Sequence, residues 1–121
     1  AQERLNDAET LLNANRFEGA VYLCGYSIEI ALKYKICKTL NWAAFPSSNR
    51  EFENYRSLKT HDLDVLLSFT GIDTTLKITY FAEWSAISIW NPEARYHPIG
   101  MIDPDKASRM IKSAKTLIGI I

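Results

Sequence analysis

The chain carries two histidines in 121 residues, His61 and His97. Imidazole is the side chain best suited to move protons near neutral pH. His61 is followed by Asp62 and Leu63. As chemistry, His61 is a general base or an RNA contact. As architecture, the same residues are a helix start, with Asp62 favoured by the helix dipole and His61 hydrogen-bonded nearby. His97 closes the run Arg95-Tyr96-His97-Pro98. There Arg95 has the forked geometry for a phosphate, and Tyr96 offers a ring for stacking on a base. The competing reading is a loop pinned by Tyr96 and by an Arg95–carboxylate pair. Arg56 stands before His61 with four residues between them.

A second group lies on a long apolar stretch. Tyr22, Tyr26, Glu29 and Lys33 recur at i, i+4, i+7 and i+11, so on a helix they share one face. Glu29 and Lys33 have the favourable order for an i,i+4 ion pair. A charge on an otherwise apolar helix is costly unless paired. The pair is therefore either a polar group inside a cleft or a structural pair at the bundle edge. Two histidines far apart, with no Cys or His pair, match no zinc spacing, so no metal site is expected. A serine triad and a phosphate-cradling glycine loop are also absent, and no cofactor is implied.

The elements that must position these residues are helical. Leu5, Ala8, Leu11 and Leu12 make one apolar stripe over about Gln2 to Asn13. Asn13-Ala14-Asn15-Arg16 reads as a tight connection, because asparagine tolerates the left-handed conformation that ends helices. The stretch from Phe17 to Leu40 is apolar around most of its circumference, which marks a buried central helix. Its small residues Gly19, Ala20, Gly25, Ser27 and Ala31 predict close approach by another helix backbone. From about Asn41 to Arg56 the periodicity fails around Pro46, Ser47, Ser48 and Asn49. A third helix starts near His61-Asp62, carries Leu63, Leu66 and Leu67, and stops at Gly71. A fourth, from about Thr75 to Trp90, has Ile78, Phe81, Ala82, Ser85 and Ile89 down one side, with Trp84 either core or interface. Pro92 ends it. Asp103-Pro104 is a strong start signal for the last helix, which turns Ala107, Met110, Ile111, Ala114, Leu117 and Ile118 inward. The expected class is all-α, one domain over residues 1–121, with five helical segments in a bundle.

Fourteen basic and fourteen acidic residues cancel. That balance gives no whole-molecule attraction for nucleic acid or anionic membranes, though it leaves room for a local basic patch. Near-zero net charge also favours self-association. Cys24 and Cys37 are 13 residues apart, roughly 20 Å along one helix, too far for a disulfide. Free thiols suit a reducing cytoplasm. The polar N-terminal stretch AQERLNDAET is not a signal peptide, and no apolar run approaches the roughly 20 residues that span a bilayer.

The order RLNDAETLL, GAVYLCGYSIEIALKYKI, KTHDLDVLL and WNPEARYHP, followed by an Ala-containing last helix, resembles the HEPN family (higher eukaryotes and prokaryotes nucleotide-binding). The likeness rests on Gly25, Glu29, Ala31, Leu32 and Lys33, on His61-Asp62-Leu63, and on Arg95-Tyr96. It implies an up-and-down bundle of four to five helices and a homodimer. It further implies binding of RNA or a nucleotide, and a place in prokaryotic defence or toxin–antitoxin systems. Several members are metal-independent endoribonucleases whose arginine and histidine, a few residues apart, meet at the dimer seam. Others are paired with a small nucleotidyltransferase. Carried onto this chain, the histidine is His61 or His97 and the arginine Arg56 or Arg95, although only Tyr96 separates Arg95 from His97. Histidine would then act as general acid or base and arginine would stabilise charge on the phosphate. The alternative is a non-catalytic module that dimerises through the long helix and docks a partner such as the nucleotidyltransferase. A third reading is a nucleotide sensor with Tyr22, Tyr26 and Arg95 lining its pocket.

Overall fold

A computed structural model describes residues 1–48, 50, 51, 53, 55, 58–90 and 102–121. Among these the regular elements are six α-helices and no strand: α1 (Gln2–Asn13), α2 (Phe17–Leu40), α3 (Leu63–Ser68), α4 (Asp73–Thr79), α5 (Phe81–Ser88) and α6 (Pro104–Ile120). The helix count exceeds the expected four to five because the stretch expected as one helix after Gly71 is two. At Tyr80 the backbone leaves helical values (φ −121°, ψ 40°). The bonds on either side survive, from Tyr80 N–H to Leu76 C=O and from Trp84 N–H to Tyr80 C=O, both 2.9 Å. The β-branched pair Ile78-Thr79 just before the break is stiff at χ1 and weak in helices.

Local chemistry sets the helix ends. Asn15 sits at φ 60° between α1 and α2. A link of only three residues joins the two helices, and they pack along their length, so they run antiparallel. Asn41, also left-handed at φ 57°, closes α2, while Trp42 N–H reaches back to the Cys37 carbonyl at 2.8 Å. Asp62 caps α3 by accepting from Asp64 N–H and Val65 N–H. Asp103 caps α6 with Pro104 in its first turn. Gly71 turns at φ 83°, and Thr39 Oγ1 donates to the Thr70 carbonyl at 2.7 Å, tying the end of α3 to the end of α2.

Helix α2 is the axis of the core and packs on α1, α3 and α6. Its Ala20, Cys24, Ile28, Leu32 and Ile36 are buried among Leu5 and Ala8 of α1, Leu63, Leu66 and Leu67 of α3, and Met110, Ile111, Ala114 and Leu117 of α6. Two of the small residues of α2, the glycines, receive side chains rather than the helix backbone that was expected. What approaches Gly25 is the indole of Trp90, which occupies the space a Cβ would need. What approaches Gly19 is the Leu11 side chain, 3.1 Å from an ideal Cβ position. Both are side chains, not a helix backbone.

The α4–α5 arm is amphipathic twice over. Leu76, Trp84 and Ile87 are buried on one side, followed by Trp90 just past the helix. The Trp84 indole N–H donates to Asp64 Oδ1 at 2.8 Å, which fixes Trp84 as core. The opposite side carries Ile78, Phe81, Ala82, Ser85 and Ile89, all exposed. Two indoles and two aliphatic side chains outweigh the other stripe in apolar area, so they take the interior.

Candidate functional site

The polar centre of the molecule forms where α2 meets the residues that lead into α3. Helical spacing puts Glu29 and Lys33 one turn apart, and Lys33 Nζ lies 3.2 Å from Glu29 Oε2. Glu29 is 2% exposed, with Leu32 and Ile28 beside it in the buried core. A buried carboxylate has about four lone-pair sites, and one ammonium cannot satisfy them. The second partner comes from 32 residues away, with His61 Nδ1 2.6 Å from Glu29 Oε1. Asp62 holds His61 in place, because its own N–H is bonded to Thr60 Oγ1 at 3.0 Å while its carboxylate caps α3. The His-Asp step thus divides its labour. Asp62 starts the helix, and His61 turns to the buried carboxylate.

The contact engages the Nδ1 edge of the ring and leaves Nε2 on its other edge. The His61 side chain is 63% exposed. A carboxylate that orients a histidine is half of an acid–base device. Arg56, Arg95, Tyr96 and His97 lie outside the described residues.

The remaining members of the α2 face go elsewhere. Tyr22 and Tyr26 stack nearly parallel, centroids 6.5 Å apart, and Tyr22 also meets Trp90 at 6.3 Å. They form an aromatic ledge above the Gly25 notch. The Glu29–Lys33 pairing was legible from spacing. The His61 partnership was not, although the unfilled valence of a carboxylate on a buried helix is the signal for it.

Cys24 and Cys37 are both free thiols. Burial pushes the Cys24 thiol up to about 12, and its Sγ lies 3.6 Å from the Met110 carbonyl. Burial also raises Cys37. Neither is activated as a nucleophile. Among the described residues no group of three or more His, Cys, Asp or Glu side chains is placed to hold a metal ion. No described helix is long and apolar enough to cross a membrane. No protein-family model, curated protein or solved structure matches this chain.

Proposed function

We propose that this chain is a non-catalytic helical interaction module that pairs with a second copy of itself through the outward stripe of α4 and α5. One observation carries the reading: Ile78, Phe81 and Ile89, three large apolar side chains of the α4–α5 arm, are 76%, 70% and 77% exposed. Large apolar residues exposed on a well-packed arm mark an interaction surface. Ala82 and Ser85 sit at the middle of the stripe, so it is self-complementary. Two copies that meet there through a two-fold axis bury the same patch of each, an isologous contact. With a net charge of zero, the two copies do not repel as whole molecules.

The stripe spans 12 residue positions on two short helices that meet at Tyr80. That is short, and it favours a modest, concentration-dependent dimer. Light scattering over a dilution series from high to low micromolar protein is expected to show dimer giving way to monomer. Monomer at every concentration would contradict the reading.

The resemblance to HEPN proteins supports the same reading and adds a small nucleotidyltransferase as the further partner. Co-purification of the two proteins after co-expression tests that partner.

The Glu29-held imidazole of His61 favours a second reading, metal-independent RNA cleavage with His61 as general acid or base. RNA incubated with the protein in EDTA would then be degraded, and His61→Ala would abolish the loss. Intact RNA with the unaltered protein would leave the interaction module as the reading.

A further inference from the structure

Two tryptophans seat the α4–α5 arm on the bundle, and they are held differently. Trp84 is tied by a hydrogen bond, its indole N–H donating to Asp64 Oδ1. Trp90 stands just past Ile89, the cap of α5, with its backbone N–H bonded to the Ile87 carbonyl at 3.0 Å. Its ring fills the space over Gly25, with Cγ, Cδ1 and Cδ2 crowding the place of a Cβ, and it meets the Tyr22 ring at 6.3 Å. Trp90 is 7% exposed, yet its indole Nε1 is buried with no acceptor among the described residues. A buried donor left unpaired keeps the full cost of losing water. The Trp90 seat therefore rests on packing alone and carries a standing penalty that the Trp84 seat does not. The chain neighbour of Trp90 is Ile89, one of the three large exposed side chains of the association surface. Whatever lifts Trp90 moves Ile89 with it.

We infer that Trp90 is a release point that regulates self-association. Seated on Gly25, it fixes the Ile89 end of the surface. Released, it takes that end apart while the bundle stays folded. The inference rests on the α4–α5 surface being the one that pairs. Linkage then runs both ways: pairing draws Trp90 into its seat, and an emptied seat weakens pairing. Both copies must be seated, so a seated fraction of about one third in each lowers the association constant about tenfold.

Exchange of the indole N–H protons, followed by NMR on the whole chain, reads the release directly, because a buried N–H without an acceptor meets solvent only when its ring leaves. At low micromolar protein the Trp90 indole is expected to exchange at least about tenfold faster than that of Trp84, and to slow as concentration rises. Gly25→Ala and Trp90→Ala, neither of which alters an exposed side chain, are each expected to weaken pairing about tenfold or more in light scattering, with the helical circular dichroism spectrum retained. If neither variant folds, the indole exchange of the unaltered chain decides. Trp90 exchange as slow as that of Trp84, or independent of concentration in a chain that does pair, would overturn the release point. So would undiminished pairing by both folded variants, which leaves the association surface standing. A chain that is monomeric at every concentration removes the surface itself, and the regulation with it.

Discussion

Helix α6 and the α4–α5 arm each carry an apolar stripe at helical spacing, yet the stripes end in opposite places. Ala107, Met110, Ile111, Ala114 and Leu117 of α6 are buried against α1, α2 and α5. Ile78, Phe81 and Ile89 point into solvent. The difference lies in what occupies the far side of each helix. Opposite its stripe α6 is polar, with Lys106, Lys112, Lys115 and Thr116, so only one face can go inward. The α4–α5 arm has a second apolar face, built on Trp84 and Trp90, and that face wins the interior. A periodic stripe shows that a surface is made for packing. Only the competing face shows whether its partner is the same molecule or another.

The comparison yields graded expectations. The largest is at α6, where Leu117 is fully buried. Leu117→Ala is expected to lower unfolding free energy by about 2–5 kcal/mol in denaturant titration. Next is the notch that receives Trp90. Gly25→Ala puts a methyl group where the indole lies, and is expected to cost about 1–3 kcal/mol. Combining it with Trp90→Ala should cost less than the sum of the two changes. If the two effects simply add, Trp90 is not what orients the arm. A smaller effect attaches to the Trp84–Asp64 bond. Trp84→Phe keeps most of the ring and is expected to cost roughly 1–2 kcal/mol. The smallest is on the outer stripe, where Ile78→Ser should change monomer stability by no more than about 0.5 kcal/mol while weakening self-association. A large loss of monomer stability from Ile78→Ser would break the distinction between the two stripes.

What could be read from the sequence was local. The bounds of α1 and α2, the left-handed Asn15, the stop at Gly71, the Asp103-Pro104 start and the Glu29–Lys33 pair all follow from residues within a few positions of each other. Two features were hidden because they depend on distance. His61 reaches Glu29 across 32 residues, and an i,i+4 rule says nothing of such a contact. The outward turn of Ile78, Phe81 and Ile89 depends on Trp90 finding Gly25, 65 positions earlier. The bend at Tyr80 was local but weakly signalled, since β-branched residues lower helix propensity by only tenths of a kcal/mol. Asp62 was legible as a cap, and it obscured the different task of the histidine beside it.

The central claim is that the outer stripe holds two copies together. Light scattering of Phe81→Asp, at a concentration where the unaltered chain is dimeric, tests it most directly. A charge at a position 70% exposed in the single chain leaves the fold intact, and circular dichroism confirms this in the same sample. A monomer mass with an unchanged helical spectrum is the expected result. A dimer mass from folded Phe81→Asp would contradict the account.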